Sequence, residues 1–339
     1  MRSFCKVIVV AGLVSPLLGG CEVAPMTYLR TFGPIADRIA SLGWGLIAIC
    51  SAVVIIIGAL VLVASLRSSS PYAVGTAVSA PIERGGGLSW IYVGVGLSTI
   101  ALLGIVVWTL FTLTVVASPD ATPAFTIEIR GHQWWWEVRY IGESAGRTFT
   151  TANELHIPVG RPVRLKLIGD DVIHSFWVPA LAGKTDVIPG QTNLAWIEAA
   201  KAGVYRGQCT EYCGQQHAHM AVLVVADAPE AFRSWWDAQL SPAPTPASDA
   251  AANGRSVFLA RCGACHTVRG TGAGGILGPD LSHLMGRQTI AAGTLTNNPA
   301  NLAGWIANAQ GVKPGSQMPT LTLSGADLAA VTAYLQTLH

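Results

Sequence analysis

Two groups of residues in this chain have the types and spacings that chemistry needs. The first is Gly207-Gln208-Cys209-Thr210-Glu211-Tyr212-Cys213-Gly214-Gln215-Gln216-His217-Ala218-His219-Met220, in which two thiols, an imidazole and a thioether recur at intervals of four, four and three. This soft donor set suits copper better than magnesium or calcium. His174, 35 residues before Cys209 in the strand-like Val172-Ile173-His174-Ser175-Phe176, offers one further imidazole. A Cys209–Cys213 disulfide fits an oxidising compartment but leaves the histidines and Met220 unexplained. A structural zinc site uses two Cys and two His and has little use for the methionine. A mononuclear blue copper site uses one Cys and leaves the second idle. The second group is Cys262-Gly263-Ala264-Cys265-His266, a C-x-x-C-H sequence that attaches haem c through two thioethers and supplies an axial imidazole. A redox dithiol or a zinc knuckle are its plainer readings. Downstream, in Pro314-Gly315-Ser316-Gln317-Met318-Pro319, Met318 is the candidate distal ligand and Met285 its rival.

The elements that must hold these groups are of three kinds. A chain of 339 residues is long enough for two or three units. With 51% hydrophobic and 12% charged residues its composition points to a membrane class. The 21 basic residues barely exceed the 19 acidic ones, which excludes the basic surplus of a nucleic-acid binder. Arg2 and Lys6, an apolar run and the ending Leu18-Gly19-Gly20-Cys21 form a signal-peptide layout over 1–20. Residues 39–66 and 88–116 carry no charge and exceed the roughly 20 residues needed to span a bilayer, so helices are expected at about 42–66 and 88–117 of a 39–117 hairpin. An exported N-terminus followed by a hairpin puts everything after Ala117 outside the cytoplasm. Over 122–240, period-two segments such as Pro162-Val163-Arg164-Leu165-Lys166-Leu167 predict a small antiparallel barrel or sandwich with a short closing helix. Residues 241–252 form a Pro-rich, flexible linker, and 253–339 are helical at both ends with a Gly-rich loop between. All eight histidines follow Gly131, so neither membrane helix offers an imidazole to a metal inside the bilayer.

The copper loop resembles the binuclear CuA domain of cytochrome c oxidase subunit II. The likeness extends to Asp171-Val172-Ile173-His174-Ser175-Phe176-Trp177-Val178-Pro179 and Lys184-Thr185-Asp186-Val187-Ile188-Pro189-Gly190. The resemblance implies that Cys209 and Cys213 bridge two copper ions, that His174 and Met220 complete one of them, and that His217 and the Glu211 carbonyl complete the other. It further implies a magnesium ion held by the Glu211 side chain at a subunit boundary, and electron input from cytochrome c at Trp134 in Gly131-His132-Gln133-Trp134-Trp135-Trp136-Glu137. Consecutive strand residues face opposite ways, so Trp135 or Trp136 is expected in the core. His132, His156, His219 and His283 read as structural or surface residues.

From about Ala252 the chain resembles a class I cytochrome c, including Gly278-Pro279-Asp280-Leu281 and a closing helix with Tyr334 inward. Together the resemblances imply a two-helix transmembrane hairpin, a cupredoxin-like antiparallel β-barrel and an all-α class I cytochrome c domain, as in cytochrome-c-fused aa-type oxidases. They imply a place in a bacterial inner membrane with both redox domains on the periplasmic side, and coupling of the complex to proton translocation. The implied partners are subunit I with its haem–copper centre, subunit III, membrane lipid, and a cytochrome c or quinol–cytochrome c reductase as donor. The Leu-Gly-Gly-Cys ending resembles a lipobox, implying lipidation of Cys21. One departure concerns proton input: where relatives carry a glutamate near Trp90 the chain reads Arg84-Gly85-Gly86-Gly87-Leu88-Ser89-Trp90, with Glu83 seven residues before the Trp, so the resemblance does not carry the proton-entry glutamate over to this chain. A nitric oxide reductase subunit with the same copper domain would show the same ligands, and a copper-delivery protein would lack a use for the haem. Arg255, Arg261, Arg269, Arg287 and Lys313 against Asp280 and Asp327 suggest that the haem domain docks on the copper domain by complementary charge.

Overall fold

The computed structural model describes residues 26–67, 87–119 and 121–339. Cys21, the 1–20 leader and Glu83 lie outside the described residues. Helix α1 spans Pro34–Arg67 and α2 spans Gly87–Ala117. At 1.5 Å per residue, 34 and 31 residues both exceed the thickness of a hydrocarbon core. Their backbone polar groups are satisfied internally while Ile55, Leu60, Leu66, Ile91 and Leu97 stay exposed, as helices that meet lipid require. Helix α1 begins eight residues before the expected 42 because Pro34 suits a first helical position and helix formation tolerates Asp37 and Arg38. Residues 38–118 form a compact unit of their own.

The β-domain is two five-stranded sheets. One has the order β3 (Phe149–Ala152), β2 (Trp135–Ile141), β1 (Thr126–His132), β5 (Val163–Gly169), β8 (Thr192–Ile197). The other has the order β4 (Glu154–Pro158), β10 (Ala221–Asp227), β9 (Gly203–Cys209), β6 (His174–Trp177), β7 (Thr185–Val187). Most pairs are antiparallel, but β1–β5 and β4–β10 run parallel. Side-chain alternation is the same in either direction, so only the closed structure reveals it. On β5, Val163, Leu165 and Leu167 are buried while Arg164 faces water, and Lys166 reaches the buried Glu128 at 3.0 Å. Helix α3 (Pro229–Gln239) closes one end: Trp236 and Phe232 pack on Phe125, Tyr140 and Phe149.

His156 on β4 lies 2.7 Å from Asp227 and 3.3 Å from Glu154. Burial disfavours its charged form, but the hydrogen bonds to Asp227 and Glu154 outweigh this and raise its pKa. A raised folded pKa gives stability that is complete below the unfolded value of about 6.5 and is lost as pH rises through the folded value. The melting temperature should therefore fall as pH rises above about 6.5, and His156→Gln should flatten that slope in scanning calorimetry.

The last domain holds α4 (Asp249–Arg261), a hairpin of β11 (Thr289–Ile290) and β12 (Leu295–Thr296), α5 (Pro299–Ala307), α6 (Ala309–Val312) and α7 (Gly325–Leu335). Ser248, Asn298 and Ser324 cap α4, α5 and α7 by accepting a backbone N–H with their side chains. Helix α4 thus starts inside the expected 241–252 linker. The remaining linker is tied down: Ala243 N donates to Arg269 O at 3.0 Å, Arg269 Nη1 to Gln239 O at 3.0 Å, and His283 Nε2 faces Ser241 O at 3.2 Å. Proline has already removed much of the segment's freedom, and the domain supplies partners for its carbonyls. Helices α4 and α7 cross at Gly254, where any Cβ would overlap the Ala330 backbone and approach Tyr334 Cβ to 2.9 Å. The Phe258 and Tyr334 rings meet beside it at 5.6 Å. Gly254→Val should cost this domain about 3 kcal/mol by overpacking, read as a lower guanidinium midpoint in haem absorbance.

Candidate functional site

The copper loop is held open between two paired strand ends. Cys209 closes β9 and Met220 precedes β10, joined by Cys209 N donating to Met220 O at 2.9 Å. Pairing of β6 with β9 sets Phe176 opposite Cys209 and brings His174 under the loop. Cys209 Sγ and Cys213 Sγ lie 3.8 Å apart, far beyond the ~2.05 Å of a disulfide, and both thiols are free. Cys209 Sγ is 3.9 Å from His174 Nδ1 and 3.3 Å from Glu211 O. Cys213 Sγ is 3.6 Å from His217 Nδ1 and 3.9 Å from Met220 Sδ. His174, Cys209, Cys213 and Met220 are buried.

This arrangement passes the test for two soft ions. Two thiols stand at the centre with an imidazole on either side, a thioether on Cys213 and a carbonyl on Cys209. A single four-coordinate zinc ion would leave two of the six donors over. His219 takes no part, since its Nδ1 lies 2.7 Å from Gln216 Oε1. The hydrogen bond between the two thiols lowers the pKa of Cys209 and raises that of Cys213, so one thiolate is held at the centre of the loop.

Asp171 is a residue that sequence reasoning passed over. Its Oδ1 lies 2.8 Å from His174 Nε2, which leaves Nδ1 facing the sulfurs. Backbone N–H groups of Gln133 and Val172 donate to the same carboxylate at 2.6 Å each. Despite partial burial, the bonds from His174, Val172 and Gln133 hold Asp171 below the usual carboxylate range. The signal available in the sequence was an acid three positions before a ligand histidine. Gln133, also unassigned from sequence, donates its Nε2–H to Cys213 O at 2.7 Å.

Trp135 and Trp136, the first residues of β2, face opposite ways as strand geometry demands, and Trp134 lies in the turn before them. Trp136 is fully buried and meets His174 edge-on at 5.9 Å, and Trp135 stacks on His132 at 4.6 Å. Trp134 is buried against the copper loop, its Nε1–H donating to Cys213 O at 2.9 Å. The Glu211 carboxylate points away from the sulfurs: its side chain is 46% exposed, with Oε2 4.0 Å from Lys184 Nζ.

In the C-terminal domain a cavity of about 270 Å³ is lined by Cys262, Cys265, His266 and Met318. Its wall is completed from the β-domain by Gln133, Trp134, Trp135 and Asn153. His266 Nδ1–H donates to Pro279 O at 2.8 Å, which leaves Nε2 for an iron, and Gly278 is bare because a Cβ would sit 2.7 Å from that ring. Arg287, on the cavity wall, donates from Nη2 to Asp280 O, while its buried Nε has no protein partner. A haem, with two vinyl-reactive thiols, an axial imidazole, a thioether and an unpaired guanidinium N–H for an anionic propionate, fits this lining. Met285 instead packs against the apolar core.

The two domains meet by hydrogen bonds. Gln216 Nε2 donates to Pro314 O at 2.7 Å, Ala221 N to Ala292 O at 3.0 Å, and Gln288 N to Glu154 Oε2 at 3.0 Å. Lys313 Nζ donates to Trp134 O at 2.6 Å, and burial pushes its ammonium down to about 7. Among the described residues no ion pair crosses this interface, contrary to the charge-complementary docking expected from composition. The reason is that Arg287 and Lys313 are turned inward and Arg269 holds the linker.

A cupredoxin-like sandwich with a two-thiol loop suited to copper, joined to a helical domain with a C-x-x-C-H segment and a haem-sized cavity, defines a two-domain protein built for a copper site and a haem. Residues 141–227 match the family described as cytochrome C oxidase subunit II, periplasmic domain, and 251–339 match cytochrome c. The chain belongs to the cytochrome c oxidase subunit 2 family and carries a cytochrome c domain at its C-terminal end. It is 40% identical over 214 residues to cytochrome c oxidase subunit 2 of Alkalihalophilus pseudofirmus, covering 62% of this chain and 60% of that relative's length. The subunit of Branchiostoma floridae is 31% identical over 164 residues, 40% of this chain and 71% of its own. That of Bacillus subtilis is 28% identical over 354 aligned positions, 98% of this chain and 97% of its own. The nitric oxide reductase alternative is not favoured by these relatives.

Proposed function

We propose that this chain is the electron-accepting subunit of a membrane cytochrome c oxidase. In this reading Cys262, Cys265, His266 and Met318 hold haem c, and His174, Cys209, Cys213, His217, Met220 and the Glu211 carbonyl hold two copper ions. The haem takes up an electron from a donor cytochrome or a quinol–cytochrome c reductase, and the copper pair hands it to the haem–copper centre of subunit I. The observation that carries the reading is the haem cavity, walled by both domains, with Trp134 bridging from that wall to the Cys213 carbonyl.

The residues' own contribution is rigidity. Buried donors, an orienting Asp171 and a strand-anchored loop keep ligand positions nearly unchanged between oxidation states, which keeps reorganisation small. The two membrane-length helices support anchoring in a bacterial inner membrane with both redox domains on the periplasmic side. The exposed Glu211 side chain leaves room for a magnesium ion whose other ligands come from subunit I. Subunit III, proton translocation by the complex and lipidation of Cys21 belong to the same proposal.

Metal analysis and anaerobic rapid mixing of the purified complex with a reduced donor test it. The expected result is two coppers and one haem per chain, with haem reduced before copper and oxygen consumed on aeration. Copper reduced ahead of haem, or a folded chain that takes up no copper under copper-replete conditions, would overturn it.

A further inference from the structure

The segment that presents Met318 to the haem cavity also presents Lys313, and this lysine is spent in an unusual way. Only 3% of it is exposed. Its ammonium donates to Trp134 O at 2.6 Å across the domain interface and to Ala291 O at 3.4 Å in its own domain. Among the described residues no carboxylate lies within ion-pair distance of it. Burying an ammonium is costly, and a lysine stem ordinarily carries its charge to water. Its position here therefore requires both carbonyls to be set in advance by the two domains.

The surroundings carry the same mark. Ala291 and Ala292, at the tip of the β11–β12 hairpin, have φ of 53° and 56°, a left-handed conformation that costs roughly 1–2 kcal/mol per residue without glycine. Such backbone persists where its surroundings over-determine it, and here Ala292 O accepts from Ala221 N, next to Met220. Gly315 has φ +82°, and a Cβ there would come within 2.6 Å of Gln215 Oε1. The 313–315 turn is thus seated closely on the copper loop.

Resting on the electron-accepting role proposed above, we propose that Lys313 is a positioning residue that clamps the haem domain onto the β1–β2 turn at Trp134, beside the copper loop. Transfer between the two centres then runs in one fixed geometry, without a search by a tethered domain. Two hydrogen bonds join the clamp to a ligand residue: Lys313 to the Trp134 carbonyl, and Trp134 Nε1–H to the Cys213 carbonyl. Because no ion pair among the described residues crosses the interface, the fixed geometry is also insensitive to salt.

The test is intramolecular haem-to-copper transfer in the full, metal-loaded chain after photoreduction of the haem, across glycerol and salt series. In the parent the rate is independent of both. In Lys313→Met, which keeps the stem and removes the N–H donors, the rate falls about tenfold or more and becomes viscosity-dependent, with haem and copper spectra unchanged. A loss of stability alone would lower the melting temperature without bringing viscosity dependence. Lys313→Gln, too short to reach Trp134, is read the same way if the methionine variant accumulates poorly. A rate within about twofold of the parent, insensitive to viscosity, overturns the clamp in either variant. Absence of haem-to-copper transfer in the parent overturns the electron-accepting role itself, and the clamp with it.

Discussion

Cys209→Ser abolishes the binuclear copper centre while leaving the β-domain folded. Cys209 Sγ stands between three other donors, 3.9 Å from His174 Nδ1, 3.8 Å from Cys213 Sγ and 3.3 Å from the Glu211 carbonyl. A serine hydroxyl fills nearly the same volume, but it is a hard donor that keeps its proton and cannot bridge two soft ions. The buried hydroxyl can still donate to the Glu211 carbonyl, so the folding cost stays near 1 kcal/mol. Copper content should fall from two ions per chain to one or none, with loss of the mixed-valence visible absorption and of the seven-line EPR pattern. Haem should be retained in full, because Cys262 and Cys265 lie in the other domain. Two coppers in this variant would exclude Cys209 as a bridge.

Met318→Leu separates haem attachment from haem tuning. The two thioether bonds and His266 are untouched, so the haem stays covalently bound. Met/His ligation favours the ferrous state, and leucine removes the donor without changing the apolar volume much. The haem midpoint potential should drop by on the order of 0.1 V or more, given that axial ligands span about 0.8 V across haem proteins. The driving force toward copper would then rise while uptake from the donor slows, and turnover would become limited by haem reduction. Met285→Leu is the control: it sits in the apolar core, so its midpoint should stay close to that of the parent. A lowered potential in the Met285 variant, with none in the Met318 variant, would exchange their roles.

The amino-acid sequence alone determined the parts whose meaning is local. Cys262-Gly263-Ala264-Cys265-His266 is complete in five adjacent residues, and the Cys209 to Met220 loop is short enough for its spacing to limit the metal. Charge-free runs foretold α1 and α2 because solvation of a helix is a sum over its own residues. What only the tertiary structure decided are relations between distant segments. Parallel pairing of β1 with β5 leaves no trace in alternation, and Gln133 becomes a partner of Cys213, 80 residues on, only when the β1–β2 turn lies beside the copper loop. The haem domain's charges suggested electrostatic docking, but burial turned Lys313 and Arg287 inward, where hydrogen bonds to carbonyls replace ion pairs. The two redox groups were legible one by one. That they share a wall at Trp134 was not, because contact across an interface depends on how two finished surfaces fit, and no local pattern encodes that fit.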